Sequence, residues 1–339
     1  MSTTILIIGG TGLIGKTIHN MLSKRDSQLK ILIGTRKKDS IPNHIQLDVN
    51  DFESFESLKK HAITIIIVCT KDANNHVMNY AIKHKIDYTD ITKPSNELLK
   101  AHESIKNNLI DSKIVFSSGW MGGIAPSLLY STGVLAKDIQ SVKMMVYYST
   151  KDKAGSSSAD FMAHNVSKPF FFYQNNLAKK TKHFLDGEDT KFDFDNQKRT
   201  VSDFDIPDLY IFNQIEHIPN VRAKMIFDSK IVTAILPFMQ KIGFFKMLNF
   251  REKKWIFGGS GNGDISSFEI IYTDNGSKEK KIVLKCEAGQ SELTAFSTVL
   301  HVEKMLENSS QKGIYFSHQL HEPKKFIDAL TSNKSIVVH

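Results

Sequence analysis

The stretch TILIIGGTGLIGKT, residues 4–17, decides how the first third of the chain is read. It opens on a short apolar run, as expected for a strand buried on both faces of a parallel sheet. Gly10, Gly12 and Gly15 then satisfy the pattern G-x-G-x-x-G. In that reading the first glycine makes a tight turn and the second lets a pyrophosphate approach the backbone. The third lets the following helix pack closely. The helix, running to about Lys24, meets the phosphates with free N–H groups and the positive end of its dipole. The same letters also satisfy G-x-x-x-x-G-K-[ST], the P-loop pattern, with Lys16 and Thr17 as its last two positions.

Context separates the two readings. A P-loop enzyme needs an apolar strand ending in Asp to help hold Mg²⁺. The strongest such run, ITIIIVC at 63–69, ends instead in Cys69-Thr70, and Asp48 follows a weaker strand. The dinucleotide reading makes its own demand just after the second strand, KILIG at 30–34. There the chain reads Thr35-Arg36-Lys37-Lys38. An acidic residue at this place would serve a ribose 2′-hydroxyl, whereas Arg accommodates a 2′-phosphate with a planar fork of donors. NADP(H) is therefore expected, ahead of NAD(H). The expected cofactor-binding residues are Gly9, Gly10, Thr11, Gly12, Leu13, Ile14, Gly15, Thr35, Arg36 and Lys37. Further strands at 44–49, 86–91 and 113–118 alternate with helical patterns such as Phe52 to His61. The predicted fold is α/β, a doubly wound parallel Rossmann sheet with right-handed crossovers.

The remainder constrains function mostly by exclusion. With 339 residues, 41% of them hydrophobic and 24% charged, the chain reads as globular and long enough for two cores. The formal charge of +8 comes mainly from lysines scattered along the chain, which is not the clustered pattern of a nucleic-acid binder. No nucleic-acid partner is expected. Cys69 and Cys286 form no disulfide framework or zinc spacing, and His318 and His321 read as surface residues, so no metal is expected. The N-terminus reads as a first strand rather than a signal peptide. The apolar segment 231–250 is interrupted by Pro237, Lys241, Gly243 and Lys246; it reads as a buried or interface helix pair, not a membrane span. A cytoplasmic protein acting on a small molecule is the expectation.

After about residue 126 the pattern changes. Strands are predicted at 141–150 and at 265–273. The latter forms a hairpin with 280–288 through Asp274-Asn275-Gly276-Ser277, where Asn-Gly is a strong turn signal. The glycine-rich stretch Gly258–Gly263 reads as a loop between strands, since no helix follows it. The expected division is a Rossmann domain at 1–125, with a returning helix at about 292–312. An α+β domain with a mixed sheet takes 126–291 and 313–339. Its exposed sheet face makes a homodimer plausible on general grounds.

Two further segments carry a resemblance. AIKHKIDYTDIT, residues 81–92, and SSGWMGGIAPSLL, residues 117–129, resemble segments of saccharopine dehydrogenase-like reductases. Lys85 stands where that family has Gly, and Gly122 where it has Pro. Residues 294–330 are similar to the family's closing helices. The short-chain dehydrogenases fit less well. Tyr130 is followed by Val134 rather than the required Lys, and Tyr147 with Lys151 falls in a predicted strand. The saccharopine dehydrogenase resemblance implies hydride transfer between nicotinamide C4 and the carbon of an imine or secondary amine. It also implies that Cys69 and Thr70 border the cofactor ribose and Asp48 the adenine. Trp120, Met121, Gly122 and Gly123 would lie near the nicotinamide, with Asp90 or Tyr88 as proton donor or orienting group. A substrate with several carboxylates would call for Arg forks. Arg222 is a candidate, but the second domain offers few arginines, and FFFY at 170–173 with Phe244-Phe245 fits core packing or a more apolar substrate. Two rivals stay open: a non-catalytic dinucleotide-binding sensor or scaffold, and a P-loop nucleotide hydrolase.

Overall fold

A computed structural model describes residues 3–37, 40–152, 155–193, 197–258, 261, 263–276, 278–307 and 311–339. Lys38, Ser277, the 259, 260 and 262 positions of the glycine-rich stretch, and 308–310 of the predicted returning helix lie outside them. In chain order the first strands are β1 (Thr4–Ile8), β2 (Lys30–Thr35), β3 (His44–Gln46), β4 (Ile65–Val68), β5 (Asp87–Asp90) and β6 (Lys113–Phe116). There follow β7 (Ile139–Tyr148), β8 (Pro169–Gln174), β9 (Leu177–Lys182), β10 (Glu188–Lys191), β11 (Lys198–Asp203) and β12 (Asn220–Phe227). The last are β13 (Ser266–Asp274), β14 (Glu279–Cys286), β15 (Gly313–Phe316) and β16 (Ile336–Val338). The chain folds into two compact units, Met1–Ile124 with Thr294–Glu322, and Ala125–Leu293 with Pro323–His339.

The first unit holds a seven-stranded sheet in the order β15-β6-β5-β4-β1-β2-β3. Every pairing in it is parallel. Ile5, Ile7, Ile31, Ile33, Ile65 and Ile67 face one cluster, together with Ile18 and Leu22 of α1 (Leu13–Arg25) and Val299 and Val302 of the helix Gly289–Leu306. Leu6, Ile8, Leu32, Ile66 and Val68, pointing the other way, are equally buried. Burial on both faces is why these strands read as unbroken apolar runs. The order β3-β2-β1-β4-β5-β6 reverses direction between β1 and β4, and there the glycine turn leaves β1.

Two local expectations change. The segment from Phe52 to Lys60 is a 3₁₀ helix, opened by the Asp51 side chain accepting from the Glu53 N–H. β15, which the sequence division places in the second domain, is an edge strand of the first sheet, paired with β6 from Gly313 to Phe316. A four-residue strand whose partner lies some 200 positions away leaves no local periodicity to read.

The second unit is built on a mixed sheet, β10-β11-β12-β7-β13-β14-β16, with the β8–β9 hairpin joined through β12. β12 pairs parallel with β7, and the remaining pairs are antiparallel. The hairpin β13–β14 keeps full register from Ser266↔Cys286 to Thr273↔Glu279. The Gly276 N–H donates to the Asp274 carboxylate at its turn. The glycine-rich stretch follows a helix, Phe250–Phe257, and precedes β13. Phe170, Phe184, Phe204 and Phe245 are buried around His183 or one another.

Candidate functional site

The turn after β1 is made of backbone packed against backbone. Gly9 has φ +82°, a left-handed conformation that glycine adopts without penalty. A Cβ on Gly9 would stand 3.0 Å from the Cys69 carbonyl group, and one on Gly15 would stand 2.5 Å from the Gly9 oxygen. The Gly12 N–H closes the turn on the Gly9 carbonyl at 2.9 Å. α1 then begins with Gly12 as its N-cap, which has no side chain to cap the helix, and no acidic residue stands in the first turn. Its leading N–H groups are thus left by the chain for an external acceptor. Thr11 and Gly12 are exposed, while Leu13 and Ile14 are half-buried.

The helix starts three residues before Lys16. Lys16 is an exposed helix residue, and the Thr17 hydroxyl donates to the Leu13 carbonyl at 3.0 Å. Neither is placed as a P-loop requires, with Lys on the phosphates and the hydroxyl on Mg²⁺. β2 delivers Thr35 half-buried, then Arg36 and Lys37 exposed. The Lys37 N–H donates to the Thr35 hydroxyl at 3.4 Å. Among the described residues no carboxylate pairs with Arg36. Asp48 is half-buried, its carboxylate accepting from Asn50 N–H at 3.0 Å. Cys69 and Thr70 lie at the end of β4 beside Gly9, and burial, with the Asp90 charge second, pushes the Cys69 thiol far above its ordinary range.

Beyond this crevice lies a polar network. Asp90 and Tyr88 are fully buried, and the Tyr88 hydroxyl donates to Asp90 Oδ2 at 2.8 Å. Asp90 Oδ1 accepts from the Thr92 N–H at 2.6 Å and the Thr92 hydroxyl at 2.8 Å. Lys93 is buried as well, its Nζ 3.2 Å from Asp90 Oδ2. The same Nζ donates to Asn75 Oδ1 at 2.6 Å and the Asp72 carbonyl at 3.2 Å. Asp72 caps α2 (His76–Lys83), accepting from His76 and Val77 N–H at 2.9 Å. Burial, then the Asp90 charge, holds the Tyr88 hydroxyl well above its ordinary range. Both Asp90 oxygens and all three Lys93 protons have acceptors or donors close by, as a buried ion pair requires. Lys93 had no signal in the sequence: a lone lysine after YTDIT reads as solvated.

The segment from Trp120 to Gly123 carries three consecutive positive φ values: Met121 at 53°, Gly122 at 85° and Gly123 at 79°. Proline, locked near −65°, could not adopt this conformation at Gly122. Three side chains hold the turn. Ser297 donates to the Gly122 carbonyl at 3.2 Å, His301 Nε2 lies 2.9 Å from the same oxygen, and Ser317 donates to the Gly123 carbonyl at 2.9 Å. His301 Nδ1 in turn lies 2.8 Å from His321 Nε2. Since the carbonyl can only accept, His301 carries its proton on Nε2 in the neutral form, and His321 donates to Nδ1. Burial holds His301 down to about 4 and His321 to about 2. The expectation of surface histidines is therefore corrected: His318 is buried, and His321 is half-buried against His301 of the helix Gly289–Leu306. Among the described residues no group of His, Cys, Asp or Glu could hold a metal ion.

Arg222 lies in the second unit, on β12. Its guanidinium meets Asp203 at 2.8 and 2.9 Å, also binds Asp186, and stacks on Phe172 at 4.3 Å.

A glycine turn at the switch point of a 3-2-1-4-5-6 parallel sheet, followed by an uncapped helix, defines a Rossmann dinucleotide-binding domain. Residues 5–110 match the family model described as the saccharopine dehydrogenase NADP binding domain. Over its length the chain has the fold of saccharopine dehydrogenase (L-Glu forming) from Saccharomyces cerevisiae, with a TM-score of 0.64 at 10% identity over 99% of each chain. A meso-DAP dehydrogenase mutant from Clostridium tetani aligns with 96% of this chain and 95% of its own, at 12% identity and a TM-score of 0.47. No curated protein matches by sequence.

Proposed function

We propose that this chain is an NADP(H)-dependent oxidoreductase that moves a hydride between the cofactor and the carbon of an imine or secondary amine. The carrying observation is the open N-terminus of α1 at the sheet's switch point, with Arg36 just beyond β2. The family match over residues 5–110 supports the same cofactor. The glycine cradle, which a Cβ at Gly9 or Gly15 would fill, fits a pyrophosphate. In this reading Gly9 to Gly15 hold the pyrophosphate, with the Leu13 and Ile14 N–H groups facing it. Thr35, Arg36 and Lys37 take the 2′-phosphate, Asp48 borders the adenine, and Cys69 with Thr70 borders the ribose. When bound, the nicotinamide supplies or accepts the hydride.

The chain's own residues orient and shield. Trp120 to Gly123 line the nicotinamide side, held by Ser297, His301 and Ser317. Tyr88 and Asp90 serve as an orienting pair rather than as the proton donor, because both are sealed from solvent and tied to Lys93 and Thr92. The substrate is a small molecule. Arg222 is already committed to Asp203 and Asp186, which speaks for one other than saccharopine.

Calorimetric titration with NADPH, NADH and ATP–Mg²⁺ tests the reading. NADPH should bind most tightly and exchange hydride with an imine-forming substrate set. Binding without any hydride exchange would favour a sensor or scaffold. Binding of ATP–Mg²⁺ alone would sink the proposal.

A further inference from the structure

The second unit wears part of its apolar side chains on the outside. The helix Lys230–Lys241 and its C-cap Ile242 place Ile231, Ile235, Phe238 and Ile242 at spacings of four, three and four, which is one face. That face is exposed: Ile231 is 71% accessible, Phe238 63% and Ile242 58%. Met247, in the next short helix, is 80% accessible and Trp255, in Phe250–Phe257, 83%. The buried side of the helix carries Leu236 and, beside it, an amide. Gln240 points inward and donates to the Val166 and His183 carbonyls at 2.7 and 2.8 Å. A solvated surface helix turns its apolar stripe inward, whereas most of the apolar residues of this helix face out. A run of exposed aromatic and aliphatic side chains on this scale marks a surface that is covered in use.

Charge identifies what covers it. Between residues 230 and 257 the chain carries five Lys and Arg251 against a single acid, Glu252. Lys241, Lys246 and Arg251 are exposed and alternate in sequence with the apolar residues. Among the described residues, Lys254 alone in this segment is in an ion pair, with Asp160 at 2.7 Å. A second copy docking here would set one basic rim against another, at an electrostatic cost. An anionic bilayer surface complements both features: its headgroups meet the lysines, and its acyl boundary takes Ile, Phe and the amphipathic Trp. The twelve-residue helix is about 18 Å long, too short to cross a bilayer, and no helix among the described residues is long and apolar enough to do so.

We propose that the face formed by Ile231, Ile235, Phe238, Ile242, Met247 and Trp255 seats this protein on an anionic lipid surface, lying in the interface rather than spanning it. This rests on the second unit alone and stands apart from the cofactor reading.

The test is co-flotation of the full chain with phosphatidylcholine vesicles, with and without about a third phosphatidylserine. Expected is flotation with the anionic vesicles, strongly reduced by raising salt to about 0.5 M. Trp255 emission should shift to the blue on binding, a shift absent in Trp255→Phe. Ile235→Gln with Phe238→Gln should lower the partition at least about tenfold, and Lys241→Glu with Lys246→Glu should remove the preference for phosphatidylserine. These substitutions are on exposed positions, and circular dichroism checks that each variant is folded. Absence of flotation, or flotation unchanged by the Gln pair, overturns the proposal. So does a dimer in light scattering that the Gln pair converts to monomer, which would make the face a contact between copies.

Discussion

The α-carbon of Gly15 packs so close to Gly9 that an added methyl group would stand 2.5 Å from the Gly9 carbonyl oxygen. The third glycine of the turn therefore fixes the helix against the turn itself, and with it the direction in which the first N–H groups point. Gly15→Ala should weaken NADPH binding at least about 100-fold by displacing those groups, although alanine favours a helix interior. Calorimetry on a variant of native circular dichroism checks this; an unchanged affinity would show that the helix entry is not what holds the pyrophosphate.

Arg36 is exposed at the end of β2 with no carboxylate partner among the described residues. Arg36→Ala should cost NADPH affinity about 1.5–3 kcal/mol, the range of a hydrogen bond to a charged group, and leave NADH nearly untouched. Equal losses for both cofactors would assign Arg36 to something other than the 2′-phosphate.

The buried pair Asp90–Lys93 gives a stability prediction. Lys93→Met strands the Asp90 carboxylate and should destabilise the chain by about 3–5 kcal/mol. The double variant with Asp90→Asn should recover part of that loss, since neither charge then stays buried. Urea unfolding of the two variants provides the comparison. If Lys93→Met is no worse than the double variant, the charge pairing contributes nothing.

His301 is held neutral, its pKa down to about 4 from an ordinary 6.5. A histidine that is harder to protonate when folded stabilises fully above its unfolded pKa, and that stability is lost as pH falls from about 6.5 towards 4. The loss approaches about 3 kcal/mol when the whole interval is crossed. His301→Gln keeps an N–H for the Gly122 carbonyl but does not titrate. Its acid unfolding midpoint should lie at lower pH than that of the unsubstituted chain, measured by circular dichroism. A midpoint left unmoved would take His301 out of the acid response.

The first sheet was legible because its strands are local apolar runs, and the glycine turn because its spacing is short and tied to a strand and helix. The β13–β14 hairpin was legible through Asn275-Gly276. What escaped depends on contacts between distant residues. β15 finds β6 across the length of the second unit. His301 meets the Gly122 carbonyl from a helix almost 180 positions further along, and His321 reaches it only through His301. Lys93 looks like any surface lysine until Asn75 and Asp72 close over it. The segment after residue 230 shows its apolar periodicity plainly, yet periodicity does not say which face the rest of the chain covers.

The pairing of β15 with β6 has a consequence for biosynthesis. The first sheet cannot be completed until residue 316 has left the ribosome, because its last strand follows Ala125–Leu293, the main part of the second unit. At about 5–20 residues per second, β6 waits roughly ten seconds or more as an unprotected edge. During that wait the nascent dinucleotide domain is open to wrong partners. A fragment ended near residue 124 would keep that edge permanently, so the boundary that suits a sequence-defined domain is a poor place to cut this molecule.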